Sequence, residues 1–472
     1  MAAAAPHALV FPFPAQSHIM SLLELSHSLL ERGIKITFLN TEFNHSRLLA
    51  ALPEEQGAAA AALRMADGIR LAAIPDGMTP TEDRNDLRRL VESMMADMPE
   101  FLEEFIGRNA GEDDDEERFT WFVADECMAW ALAVAKKAGL RSVVYFPACA
   151  AVLAGFLSIP KLIEDGVIDD EGAPKENKMF QLSPVMPPMD PTQLAWNCFN
   201  DPKTNLMFFR LFSKNNEIVV PNAELILCNT FHELEKPVFS YAPNIIPVGP
   251  LLAGSRPQKT FGNFWVPETG CIEWLDRQHK NSVIYVAFGS FTVFNQHQFQ
   301  ELAVALELTG RPFLWVVRPG LSNVDDELHE KNISSIIEKV GDRGMIVSWC
   351  PQQQVLAHPS VACFVSHCGW NSTLEGVRHG VPFLCWPYFG DQFYNQTYIC
   401  DVWKVGLRLI GAADENNLYL HEEIRSKLEE LIGDEKIKET SLFLKEAACK
   451  SLEMGGSSCD NFNNFIDLMK GF

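Results

Sequence analysis

Between Trp349 and Gln392 the chain gathers, within 44 residues, side chains suited to holding a phosphorylated ligand. Two short apolar runs, ACFVS (362–366) and VPFLCW (381–386), frame them. Rich in Val, Phe and Cys and bounded by turn or polar residues, they have the pattern of buried parallel strands. Between them, NSTLEGVRHG places Asn371 and Ser372 at a helix start and Gly380 at its end. A helix start presents unpaired N–H groups and the positive end of the helix dipole, which suits a phosphate. His367, Asn371 and Ser372 would stand beside that anion. Glu375 lies four residues after Asn371, on the same helix face. A carboxylate repels phosphate, so its expected work is to hold hydroxyls such as those of a ribose. Trp349 and Gln352 follow the run GMIVS (344–348) at another strand-to-helix turn, where an indole can stack on a planar base. Asp391 and Gln392 follow the last strand, a natural place for groups that hold a sugar. Base, ribose, phosphate and sugar would then be met in turn along one set of strand ends, where open α/β sheets bind ligands.

The stretch resembles the signature of the plant UDP-dependent glycosyltransferases of family 1. The match runs through Trp349, Gln352, His367, Gly369, Trp370, Asn371, Ser372, Glu375, Pro382, Asp391 and Gln392, with the length undisturbed. The resemblance implies that Trp349 stacks on uracil, with Cys350 and Gln352 beside it in the donor site, and that Glu375 holds the ribose. It implies that His367, Asn371 and Ser372 hold the diphosphate, while Trp370, Asp391 and Gln392 hold the sugar. A terminal Gln such as Gln392 is associated with glucose donors. His358, Cys363, His367 and Cys368 also invite a zinc reading. Their spacing matches no common finger and no C-x2-C pair is present, so no metal is expected. Trp370 and Trp386 can equally be core aromatics, the preferred reading for Trp386, and Cys350, Cys363, Cys368 and Cys385 read as small buried hydrophobes.

The elements that must position this chemistry begin at the N-terminus. HALVFPFPAQSH opens with a strand (Ala8 to Phe11) and a proline-punctuated loop, followed by a helix from about His18 to Arg32 that Gly33 ends. IKITFLN (34–40) is the next strand, which makes a βαβ start on a parallel sheet. The absence of G-x-G-x-x-G after the first strand counts against a dinucleotide oxidoreductase. His18 instead stands at the carboxyl end of strand one, where position alone reads as helix cap, surface residue or base. FPFPAQSHI resembles the N-terminal motif of the same family, in which this His is the general base; Ser17 replaces the usual Gly, and Met20-Ser21 the usual Asn-Pro. Such a base needs a partner to fix its tautomer and steady its cation. The strand FTWFVA (119–124) ends at Asp125, which matches the family's catalytic Asp and also suits a helix N-cap; Glu126 is the neighbouring rival.

RSVVYFP (141–147), AELILCN (223–229) and NIIPVGP (244–250) supply further strands of the first half. The segment 150–215 reads as helical and rich in Phe, Met, Pro and Trp. Together with 78–99 it offers an apolar wall from which Phe146, Met186, Met189 and Trp196 are candidate acceptor-lining residues, although core packing explains them equally well. Gly- and Pro-rich residues 251–270 read as a domain linker. NSVIYVAFGSFT (281–292) opens a second α/β domain, in which the Gly289-Ser290 turn matches the family's second phosphate-contacting loop and otherwise reads as an ordinary βα turn. The resemblance implies the GT-B architecture, α/β throughout: two Rossmann-like domains with parallel sheets facing across a cleft. The expected bounds are an acceptor domain at 1–250, a linker at 251–270, and a UDP-sugar domain at 271–454. A last helix, about 455–472, is expected to return to the first domain.

Composition bounds the function. A net charge of −23 argues against nucleic acid or an anionic membrane as main partner. No run is long enough to span a membrane, and the N-terminus lacks a signal peptide's basic region. The twelve cysteines show no paired framework, which fits reduced thiols in the cytoplasm. The expectation is a cytoplasmic, monomeric, inverting O-glucosyltransferase using UDP-glucose as donor substrate and needing no cofactor. Its acceptor would be a lipophilic hydroxyl of a flavonoid or other phenolic, or alternatively of a terpenoid or steroid. A nucleotide-sugar epimerase and a non-catalytic UDP-sugar binder are the competing readings; the pair of His18 and Asp125 argues against the second, since a pure binder needs neither.

Overall fold

The computed structural model describes residues 5–50, 68–110, 117–199, 201–252, 265, 267–293, 295–318, 326–411 and 418–471. Most of the segment read as a linker (253–264 and 266) and most of the acidic loop 111–117 lie outside them. The chain divides into two compact units, one holding Met1–Ala253 and Lys450–Phe472, the other Trp265–Cys449.

The first unit carries seven strands: β1 (His7–Phe11), β2 (Lys35–Thr41), β3 (Arg70–Ile74), β4 (Trp121–Asp125), β5 (Arg141–Phe146), β6 (Leu225–Cys228) and β7 (Ile245–Pro247). They pair in the order β3-β2-β1-β4-β5-β6-β7, and every pairing is parallel. The order reverses between β1 and β4, the two strands whose loops carry His18 and Asp125. All five residues of β1 and of β4 are buried, as expected of central strands covered on both faces. On one face, Val10, Phe38, Trp121 and Val143 pack with Ile19, Leu22 and Leu25 of the first helix, Gln16–Glu31.

Phe462, Phe465, Ile466 and Met469 of the last helix, Ser457–Lys470, join the same core. The Trp121 indole N–H donates to the Met469 carbonyl at 3.1 Å, and the Arg141 guanidinium lies 4.1 Å above the Trp121 ring. Arg141 also donates to the Leu468 carbonyl, at 3.2 Å.

The second unit repeats the plan with β8 (Val283–Ala287), β9 (Phe313–Val316), β10 (Gly344–Val347), β11 (Val361–Ser366), β12 (Phe383–Cys385) and β13 (Gly406–Arg408). Their order is β10-β9-β8-β11-β12-β13, again all parallel, with the reversal between β8 and β11. The signature helix spans Trp370–His379, with Gly369 as its N-cap and left-handed Gly380 as its C-cap. Asn371 and Ser372 are therefore second and third in the helix rather than its caps. The segment expected to be helical over 150–215 is only partly so. Helices span Ala150–Leu157, Ile159–Glu164 and Pro202–Asn222; between Glu164 and Pro202 the described residues hold a single short 3-10 turn, Pro191–Gln193.

Because Phe465 is only 1% exposed, Phe465→Ala is expected to destabilise the first unit by about 3–5 kcal/mol. The readout is a lowered denaturation midpoint against wild type; an unchanged midpoint would contradict the place of the last helix in this core.

Candidate active site

His18 lies in the first turn of the helix that follows β1, and Asp125 is the last residue of β4. The His18 Nδ1 and Asp125 Oδ2 are 2.7 Å apart. Asp125 is fully buried, while the His18 side chain keeps 24% of its surface exposed. The other carboxylate oxygen, Oδ1, accepts from the Cys127 backbone N–H at 3.0 Å. Asp125 is thus both helix cap and histidine partner, one oxygen for each role. A carboxylate only accepts, so Nδ1 carries the hydrogen and Nε2 keeps its lone pair, the tautomer a base requires.

Ser21, one turn beyond His18, is buried and explains what its departure from the family motif does locally. Its hydroxyl lies 3.0 Å from the Tyr145 hydroxyl and accepts from the Asn229 amide at 3.2 Å, tying the helix to β5 and to the loop after β6. The rival carboxylate, Glu126, is buried elsewhere: Asn215 donates to its Oε1 and to its backbone carbonyl. Burial, with the Asp125 charge next door, pushes its acid up to about 8. The ligand atoms of His18, Asp125 and Cys127 fall within 4.8 Å of one another. Both Asp125 oxygens and His18 Nδ1 already take part in hydrogen bonds there.

In the second unit the same construction recurs at β8 and β11. His367 follows β11, and its ring packs against two loop glycines. A Cβ on Gly289, which has a φ of +68°, would come within 2.6 Å of the His367 Nε2, and one on Gly369 would also strike the ring. Burial lowers the imidazole from 6.5 to about 4, so His367 is neutral at pH 7 and offers a hydrogen bond rather than a charge. Its Nδ1 is enclosed and, among the described residues, meets no hydrogen-bond partner. Cys368 is buried in the left-handed region at φ 63°, and its backbone N–H is taken by the Ser366 hydroxyl at 3.1 Å. The turn so formed delivers Gly369, Asn371 and Ser372 at the helix start. Ser290 stands beside Gly289 and ahead of the helix Gln296–Thr309 rather than at its N-terminus.

The Gln352 amide donates to the Ser372 hydroxyl at 2.7 Å and to Glu375 Oε2 at 2.6 Å, and Gln353 donates to Glu375 Oε1 at 3.1 Å. Asp391 accepts from Asn395 at 2.8 Å, and the Gln392 carbonyl oxygen accepts from the backbone of Tyr388 and Phe389. Trp370 is buried against Trp403, Trp386 sits in the core beside Phe288 and Tyr419, and Cys350 is buried.

Of the acceptor-lining candidates, Trp196 is a packed core residue: its indole N–H donates to the Gly172 carbonyl at 2.9 Å and its ring meets Phe156 and Phe209. Phe146, Met186 and Met189 are buried as well. Burial of this kind suits a pocket wall and a core alike.

Sequence reasoning missed three contributors. Trp265, within the segment read as linker, stacks on Trp349 with ring centroids 4.8 Å apart. Glu268 accepts from both the backbone N–H and the hydroxyl of Ser348 at 2.7 Å, while its own N–H donates to the Trp349 carbonyl at 2.9 Å. Arg318, buried just beyond β9, donates to the Gly289 carbonyl at 3.2 Å and the Thr292 carbonyl at 2.6 Å, fixing the loop that borders His367. A buried Arg at a strand end was the one signal available in the sequence.

Comparison with known proteins agrees with these features. Residues 222–447 match the family "UDP-glucoronosyl and UDP-glucosyl transferase". UDP-glycosyltransferase 83A1 of Arabidopsis thaliana is 41% identical over 473 residues, covering 98% of this chain and 97% of that one. Among solved structures, Os79 from O. sativa, determined in complex with UDP, superposes with a TM-score of 0.78 at 26% identity, over 98% of this chain and 100% of the other. A UDP-glucosyltransferase from Polygonum tinctorium, capable of glucosylating indoxyl, gives 0.81 at 27% identity over the whole of both chains. The chain belongs to the plant family 1 UDP-dependent glycosyltransferases. It is a UDP-glycosyltransferase with the GT-B fold of two Rossmann-like domains. Among the described residues no helix is long and apolar enough to cross a membrane.

Two outcomes follow from this geometry. Gly289→Ala, strained by its positive φ and pressed onto His367, is expected to lower transferase activity at least about tenfold; wild-type activity would contradict the packing of that ring. For Glu126 the folded state holds its proton up to about 8, against 4.5 unfolded. Its stabilising contribution is complete below 4.5 and is lost as pH rises to about 8. Glu126→Gln is therefore expected to gain stability over wild type at pH 8 but not at pH 4.5, read by denaturant titration at both; an equal difference at the two pH values would contradict it.

Proposed function

We propose that this chain is an inverting O-glucosyltransferase. It would move glucose from UDP-glucose to a hydroxyl of a lipophilic small molecule, a flavonoid or other phenolic first and a terpenoid or steroid second. The observation that carries the reading is the His18–Asp125 pair, a half-exposed imidazole whose Nδ1 is held by a fully buried carboxylate. Nε2 takes the proton of the acceptor hydroxyl as its oxygen bonds to the anomeric carbon. The bond from that carbon to the UDP oxygen breaks, and UDP leaves with the electron pair. Attack from the opposite side inverts the configuration. Asp125 orients the ring and steadies the imidazolium that forms.

The start of the helix Trp370–His379, Asn371, Ser372 and the Ser290 loop are the groups proposed to receive the diphosphate, with a neutral His367 donating a hydrogen bond rather than a charge. Trp349 is proposed to stack on uracil, Glu375 to hold the ribose, and Trp370, Asp391 and Gln392 to hold the sugar. The UDP in the Os79 structure supports the nucleotide. Gln392 and the Polygonum enzyme support glucose, and the latter's indoxyl supports an aromatic hydroxyl. The protein is proposed to act as a cytoplasmic monomer without a metal. All twelve cysteines are free thiols, which suits a reducing compartment.

The test is product formation from UDP-glucose and a mixed panel of flavonoids, monolignols, terpenoid alcohols and sterols, read by mass, with His18→Ala beside it. A hexose adduct that disappears in the variant, at a rate unchanged by chelator in the wild type, is expected. An adduct undiminished in His18→Ala would overturn the role of the base, and loss of activity with chelator would overturn the metal-free reading.

A further inference from the structure

Gln352 has both amide hydrogens committed within the protein, one to the Ser372 hydroxyl and one to Glu375. A carboxylate only accepts, so the NH2 of the amide faces Glu375 and the carbonyl oxygen faces the other way. On that side stands the Tyr285 hydroxyl, which donates to Gln352 Oε1 at 2.9 Å. Behind it, the Cys350 sulfur lies 3.3 Å from the same hydroxyl. Tyr285 belongs to the central strand β8 and is fully buried. Burial raises the phenol well above its usual range, and a hydrogen bond with Cys271, together with burial, raises the Cys350 thiol, so both keep their hydrogens. The Cys350 hydrogen is directed to Cys271, and the phenol hydrogen goes to the amide oxygen with the Cys350 sulfur beside it.

We infer that Tyr285 is a positioning residue for nucleotide binding: its hydroxyl sets the orientation of the Gln352 amide, which in turn aims Glu375 at the ribose and Ser372 at the diphosphate. The inference rests on the donor-site reading proposed above. Without the phenol hydrogen the buried amide oxygen loses its donor, and the amide is held only from the side of Ser372 and Glu375, free to shift from the position that aims them. Gln352 then serves the nucleotide through its neighbours. A residue acting this way supports ground-state and transition-state binding alike, so its loss raises KM and leaves kcat in place.

The experiment compares wild type, Tyr285→Phe, Gln352→Ala and the double variant by UDP titration calorimetry, steady-state kinetics with UDP-glucose, and thermal melting. Tyr285→Phe is expected to raise KM for UDP-glucose and Kd for UDP by about five- to tenfold with kcat within about twofold. In the Gln352→Ala background the same change is expected to add nothing, because the path through the amide is already gone. A second variant, Cys350→Ala, removes the thiol behind the hydroxyl and is expected to raise the same constants by a smaller factor; it serves as the probe if Tyr285→Phe melts early. Unchanged constants in Tyr285→Phe, a fall confined to kcat, or full additivity with Gln352→Ala would overturn the inference. If wild type itself failed to bind UDP, the donor-site reading would fall first and the inference with it.

Discussion

Parallel strands must be covered along both faces, which leaves the strand ends as the part of the sheet where polar chemistry can be placed. Each unit reverses its strand order once, and at the reversal two neighbouring loops diverge and leave room at the carboxyl edge. His18 and Asp125 come from the two strands flanking the reversal in the first sheet. The Gly289-Ser290 loop and His367 come from the corresponding strands of the second. One topological constraint thus places the His18–Asp125 pair and the His367 turn alike, and the local sequence decides what surrounds each.

What differs is how each histidine is treated. His18 is partly exposed and leans on a buried carboxylate, an environment that suits the base proposed above. His367 is enclosed, and burial lowers it to about 4. The two glycines that admit its ring to the loops are small because a methyl group has no place there. In the proposed reaction the helix N–H groups and dipole are therefore the first source of positive potential for a departing diphosphate.

The chemistry-bearing positions were legible because they are polar residues in short turns between continuous apolar runs, a contrast that survives in one dimension. Central strands such as β1, β4, β8 and β11 were equally legible. Two edge strands escaped notice: β3, the half-exposed and alanine-rich RLAAI, and β13, only three residues long. Covered on one side only, an edge strand needs no unbroken apolar run. Supports contributed from afar were illegible for another reason. Trp265 reaches Trp349 across 84 positions and Tyr285 reaches Gln352 across 67, and no local pattern marks either partner. The apolar residues offered as an acceptor wall show another limit, because Phe, Met and Trp look the same in sequence whether they face a ligand or a core.

In the proposed reaction Asp125 orients His18 as the base and steadies its charge. The most direct measurement is the pH dependence of kcat/KM for wild type and Asp125→Asn. The account predicts a wild-type profile that rises as a single group loses its proton. In Asp125→Asn the plateau should fall by about a hundredfold or more and the inflection should move to lower pH, because the neighbouring negative charge no longer favours the imidazolium. A variant that keeps the wild-type plateau and inflection would contradict the dyad.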